Sequence, residues 1–149
     1  MSLDNFIDLV ISIVESIEPS DNLSESDLSK FQAVSSEGMI LAALDIIDHG
    51  KVIRYTTPWG HSEYEIMGST ETNTVFLDIR NSKIPYSCSC PAFVSSVLIS
   101  DTHVMCKHVL ATMIASKLKL CIGRPTTPDD LVALYNRNFT LVDKQPYAE

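Results

Sequence analysis

Two short groups, Cys88-Ser89-Cys90-Pro91 and Cys106-Lys107-His108, hold the side chains best suited to chemistry. Three thiols and one imidazole, spaced C-x-C and then C-x-H, make a complete donor set for Zn²⁺, which takes Cys sulfur and His nitrogen in a tetrahedron. Cys88, Cys90, Cys106 and His108 are therefore the expected metal ligands, holding one ion. Four protein donors leave no position for water or substrate. Structural zinc is built that way, whereas catalytic zinc keeps a site open.

The spacing dictates local backbone. In a straight strand, residues two apart share a face, yet they lie about 6–7 Å apart, too far for both sulfurs to reach one ion. A bend is needed, and Pro91 at the first position of a helix supplies it. On a helix, residues two apart sit about 200° around the axis. Cys106 is thus expected just before a helix and His108 in its first turn, where the dipole favours thiolate. Three thiolates on Zn²⁺ leave a net −1, which Lys107 and the helix starts offset.

Two neighbours compete for attention. His103 lies three residues before Cys106 and is an alternative to His108 as fourth ligand. Cys121 stands about 20 Å along the same helix at 1.5 Å per residue, and reads as a free buried thiol. His49 and His61 read as surface or turn residues without a role. Neither the H-x-E and P-C-x-x-C pattern of zinc deaminases, nor a phosphate loop, nor a G-x-S-x-G elbow is present, and no catalytic residue is expected.

The 149 residues suit one domain with extensions, and 45% hydrophobic content allows a real core. Asp and Glu outnumber Lys and Arg by 19 to 11, a net charge of −8. Because phosphate neutralisation supplies most nucleic-acid affinity, a general DNA clamp is excluded; a local or partner-dependent contact is not. Lys107, Lys117, Lys119 and Arg124 are the one basic cluster, and a stand-alone nucleic-acid-binding zinc finger remains the rival reading. Four cysteines could form two disulfides in an oxidising compartment, but no secretory signal or membrane-spanning run is evident, so reduced thiols are expected.

The elements that must position the ligands follow from hydrophobic period. Ser2 is a candidate cap for a helix running to about Ile17, with Leu3, Phe6, Ile7, Val10, Val14 and Ile17 on one face. Whether that face packs on its own domain or docks another protein stays open. A second helix spans 24–35 with Leu28, Phe31 and Val34 inward; a third runs from Ser36 to Asp48 with Met39, Ile40, Ala43, Leu44 and Ile47 inward, and Gly50 stops it. The period then changes to two. Strands are expected at 52–57, 63–67, 74–79 and 84–87, with Pro58-Trp59-Gly60-His61 as a hairpin turn and Trp59 as a lid on the core. A short helix carries Ala92, Phe93, Val97 and Leu98 and fades at Ser100-Asp101. A longer one covers 107–120 with Val109, Leu110, Met113, Ile114 and Leu118 inward, ended by Gly123 and Pro125. Thr127-Pro128-Asp129-Asp130 opens a last helix carrying Leu131, Leu134 and Tyr135. The fold class is α+β: a helical region over 1–50, a small antiparallel meander and zinc-finger domain over 51–122, and a short helix and tail over 123–149.

C-x-C, a spacer and C-x-H, with Ala111 three residues after the histidine, resembles the SWIM zinc finger. The stretches Tyr86–Phe93, Ser96–Leu98 and Cys106–Ala111, with Ala42–Asp48 and the Gly68-containing hairpin upstream, are similar to the small SWIM-domain subunits of Shu complexes. That resemblance covers roughly residues 36 to 120. It implies a non-catalytic zinc protein that pairs with a RecA-like recombinase paralogue. The pair would promote recombinase filaments on single-stranded DNA during homologous recombination, meiosis included, in the nucleus. The DNA contact would run mainly through the partner.

Overall fold

The computed structural model describes residues 3–20, 22–68, 70–100, 103–130, 132–133 and 136. Three helices come first: α1 (Leu3–Glu15), α2 (Glu25–Gln32) and α3 (Glu37–Asp48). Ser24 and Asp27 cap α2 reciprocally, each side chain holding the other's backbone N–H at 3.1 Å. Ser36 caps α3 through the N–H of Met39. Gly50, at φ +61, turns the chain out of it.

A five-stranded sheet follows, in the order β4-β3-β2-β1-β5. Its strands are β1 (Val52–Thr56), β2 (Ser62–Met67), β3 (Thr72–Phe76), β4 (Ser87–Cys88) and β5 (Ile122–Pro125). The first four pair antiparallel, with Arg54 opposite Tyr64, Tyr64 opposite Val75 and Val75 opposite Cys88. This row sets Cys88 on the face that looks toward α4 (Lys107–Leu118), where Tyr64 meets Ser116 at 3.4 Å.

The helix α4 is the axis of the core. It packs against α1 and α3 as well as the sheet, so Val109, Leu110, Ala111, Thr112, Ile114, Ala115 and Leu118 are all buried. One hydrophobic cluster runs from Ile7 to Leu118. The N-terminal helices and the zinc-finger region therefore share a core, and α1 turns Ile7, Val10 and Ile13 into it rather than outward.

Several expectations need correction. The third strand begins at Thr72 and stops at Phe76, because Asp78 adopts φ +59 and leaves the extended path. The fourth is shifted to Ser87–Cys88, which carries the first ligand inside the sheet. The sheet is mixed rather than an antiparallel meander: β5 joins β1 in parallel, with Ile53 opposite Ile122 and Tyr55 opposite Arg124. Gly123 and Pro125, expected only to end the helix, lie in this edge strand, where a proline costs no ladder bond. The helix itself ends at Leu118, with Lys119 at φ +58. Trp59 is no lid; it is 63% exposed. The short helix after Pro91 is π-helical over Phe93–Ile99, with Phe93 and Val97 buried but Ala92 and Leu98 exposed.

The Thr127 hydroxyl caps the Asp130 N–H as expected, and the Asp130 carboxylate accepts the Thr127 N–H in return. The expectations placed on Ser2, the Leu3 side chain, Asp101, Leu131, Leu134, Tyr135 and the tail lie outside the described residues.

Candidate metal centre

Both ligand pairs sit where an extended chain turns into a helix. On the first side, the β3–β4 pairing continues past Cys88: Ser89 donates its N–H to Thr74 O at 3.1 Å and accepts the Thr74 N–H on its hydroxyl at 2.9 Å. The residue between the two thiols is thereby fixed. Pro91 then begins the helical turn, and Phe93 donates its N–H to Cys90 O at 3.2 Å and to Cys90 Sγ at 3.4 Å.

On the second side, Cys106 is the N-cap of α4, with extended backbone at φ −90 and ψ 169, and accepts the Leu110 N–H on its carbonyl. Lys107 and His108 are the first two helical residues. Sequence spacing alone leads to this arrangement, since a mid-helix Cys106 would point away from His108.

The four ligand atoms of Cys88, Cys90, Cys106 and His108 all lie within 4.8 Å of one another. Zinc–sulfur bonds of about 2.3 Å in a tetrahedron place sulfurs about 3.8 Å apart, so a small contraction closes the set on an ion. The three cysteines are 3 to 4% exposed and His108 is half-buried. The His108 Nδ1 is buried without a hydrogen-bond partner among the described residues, an orphaned atom that metal ligation or an altered ring orientation relieves. Donor set, distance and orphan fit one structural zinc ion.

The thiols themselves need a cation. Hydrogen bonding to Cys106 and Cys90, with burial, pushes the Cys88 thiol far up. Hydrogen bonds from Cys106 and Cys88 hold Cys90 far below the usual thiol range. Cys106 comes to about 11, the lowering by Cys88 being outweighed by Cys90 and by burial. Three sulfurs this close repel one another as thiolates, so they ionise together only around a positive ion.

The remaining candidates fall outside the knot. His103 is exposed, its backbone N–H bonded to Ser96 O, and its ring is not in the ligand cluster. Cys121 is a free, half-buried thiol whose burial raises it to about 11. His49 and His61 are exposed, beside Asp45 and Glu63 respectively. The supporting residue that spacing did not reveal is Tyr86. It is 1% exposed, stands edge-on to Phe93, and donates its hydroxyl to Val104 O at 2.6 Å. Its trace in the sequence was an aromatic two residues before the C-x-C, at the start of a stretch that carries the resemblance.

Residues 73–117 match the SWIM zinc finger family, a segment that contains all four ligands. The chain is similar to Zinc finger SWIM domain-containing protein 7 of Homo sapiens, 33% identical over 80 residues that cover 53% of each chain. The Mus musculus protein of the same name is 34% identical over 82 residues, 54% of this chain and 50% of its own. That of Danio rerio is 29% identical over 98 residues, covering 65% of this chain and 66% of its own. The chain thus spans about half the length of the human and mouse relatives it matches. No solved structure matches it.

Proposed function

We propose that this chain is a non-catalytic, zinc-binding accessory subunit of a Shu-type homologous-recombination complex. It pairs with a RecA-like recombinase paralogue in the nucleus, and the pair promotes assembly or stability of recombinase filaments on single-stranded DNA. The observation that carries the reading is the closed, buried Cys₃His knot inside the SWIM segment. Its four protein donors complete a tetrahedron, so the metal holds shape and performs no reaction. What it holds is the junction of β4 with the start of α4, the helix around which the core is built. The net charge of −8 suits a subunit that leaves most phosphate contact, and any nucleotide binding, to its companion.

The test is recovery of the tagged chain from its own cells, followed by mass spectrometry of the co-purifying proteins and imaging of the tag. A stoichiometric RecA-like ATPase, a nuclear signal, and loss of the ATPase when His108 is replaced by Ala are expected. A chain recovered alone, or with companions that all lack a RecA-like core, defeats the reading.

A further inference from the structure

The sheet has two faces, and the second is buried although α4 packs on the first. Residues opposite one another in register share a face, and the face alternates along each strand. Tyr64, Val75 and Cys88 turn toward α4, the helix packed on β1, β3 and β4. Ile53, Glu65 and Thr74, opposite one another across β1, β2 and β3, turn the other way, as do Tyr55 and Glu63. Yet Ile53 is 1% exposed, Glu63 0%, Glu65 5% and Thr74 2%. Among the described helices, α1 and α3 pack on α4 in turn and so stand on its side of the sheet.

The chemistry of this second face is particular. Two carboxylates, Glu63 and Glu65, stand side by side on β2, with Tyr55 and Ile53 opposite them. A buried carboxylate persists only beside positive charge or donated hydrogen bonds. His61 Nε2 lies 3.4 Å from Glu63, but its side chain is half in water. Arg124 shares the face, opposite Tyr55, and stands exposed at its edge. Thr74 adds a hydroxyl that is buried without a hydrogen-bond partner among the described residues. The surface therefore suits a positively charged segment of chain with some apolar side chains of its own.

The sequence supplies such a segment. The edge strand of the sheet beyond β1 is β5, and the thirteen residues after Asn136 follow it closely along the chain. They hold Arg137 and Lys144 as cations, with Phe139, Leu141 and Val142 between them. Thirteen residues reach at most about 45 Å, and five strands are about 19 Å across. We infer that the second face of the sheet is the docking surface for residues 137–149, whose Arg137 and Lys144 bring positive charge to Glu63 and Glu65. A basic segment of another protein suits the face less well. It would have to displace a tethered competitor whose effective concentration is on the order of millimolar, on a face already shut off from water. The inference concerns one chain and stands apart from the pairing reading, except that it removes this face from the surfaces a partner can use.

Nuclear magnetic resonance of the zinc-loaded full chain tests it, because each backbone amide reports separately. Arg137→Glu with Lys144→Glu reverses the segment's charge and changes no residue of the hydrophobic cluster. Amide shifts should move at Ile53, Glu63, Glu65 and Thr74 and stay in place along α1. Hydrogen exchange at the first group should quicken roughly tenfold as that face opens more often. Arg137→Lys with Lys144→Arg keeps both charges and should leave the native pattern. Glu65→Lys alone should lower the urea midpoint, and Arg137→Glu added to it should recover part of the loss. If Glu65→Lys does not fold, the charge-reversed segment still gives its own reading.

Shifts that stay unchanged on the second face overturn the proposal, as do shifts that the charge-keeping variant moves equally. Changes that fade on dilution overturn it too, since they would put the segment on a second copy of the chain. None of these results requires a partner, so they leave the co-purification test above to stand or fall separately.

Discussion

Tyr86 donates its hydroxyl to the carbonyl oxygen of Val104 at 2.6 Å, and this one bond fastens the approach to the first ligand pair to the approach to the second. Tyr86 lies two residues before Cys88 and Val104 two residues before Cys106. The ring is buried against Phe93, so the donor is removed from water and is costly to leave unpaired, while Val104 is half-buried. Burial, reinforced by the charge at Cys106, raises the phenol well above its usual range, so it stays a donor across the working pH range.

Tyr86→Phe keeps the ring and deletes the donor. The expected loss is about 0.5–1.5 kcal/mol, the net worth of one hydrogen bond to a half-buried carbonyl. Thermal unfolding and the rate of zinc transfer to a competing chelator measure it. The variant should unfold earlier and surrender zinc faster while binding one ion; unchanged zinc release would show that the two ligand pairs are held independently.

Gly68 opens the β2–β3 turn, donating its N–H to Glu71 O at 2.8 Å. A Cβ at this position runs into the same Glu71 carbonyl, a backbone atom that cannot swing aside. Gly68→Ala is therefore expected to destabilise by about 1–3 kcal/mol through local overpacking. Gly38, where an added Cβ meets nothing, is the control, and there alanine should stabilise or be neutral. Denaturant unfolding of both variants decides it, and equal effects at the two sites would remove the steric argument.

The ligand set could be read before any coordinates, because C-x-C and C-x-H carry their chemistry in residue type and their geometry in spacing. The three N-terminal helices were readable for a related reason: the apolar period and the Ser24 and Ser36 caps agree. What escaped was set by partners distant in sequence. Ile122-Gly123-Arg124-Pro125 has no alternation and two breakers, and becomes a strand only because β1 lies beside it. The end of β3 depended on Asp78 taking a left-handed conformation that Asp tolerates but does not require. Trp59 was misplaced because bulk suggests burial, although the tight turn gives it nothing to pack on. Thr112 and Ala115 are not among the residues the period turns inward, yet both are buried, because α4 is covered from both sides, which periodicity within it does not reveal.

Cys121 offers a pH test separate from the metal. Burial raises its thiol from 9.0 to about 11, with Arg54 pulling the other way. A group whose pKa is higher folded than unfolded favours the native state below the unfolded value, and that contribution is lost as pH rises through the folded one. Stability should therefore decline between about pH 9 and 11, and the Cys121 share of that decline should vanish in Cys121→Ala. Urea unfolding at several pH values, compared between the two proteins, tests the sign; parallel curves would mean the thiol is as accessible folded as unfolded.

Metal removal is the most demanding test, because it asks whether four side chains decide the fate of the whole core. Structural zinc supplies apparent binding free energies of about 10–16 kcal/mol at neutral pH, against a total domain stability of about 5–15 kcal/mol. Without the ion, three buried thiols and an orphaned imidazole nitrogen remain where β4 meets the start of α4. A strong chelator should therefore unfold α4 and expose the core it organises, seen as lost near-ultraviolet dichroism and an early, broad thermal transition. Refolding in cobalt should give the thiolate-to-metal absorption of a tetrahedral S₃N site. His103→Ala and Cys121→Ser should leave that spectrum intact, whereas His108→Ala should alter it and Cys88→Ser should prevent stable loading. Acid should release the ion as well, since protons compete for the thiolates and the imidazole. An apo chain that keeps its native dichroism and melting temperature would mean the hydrophobic cluster from Ile7 to Leu118 holds the fold unaided.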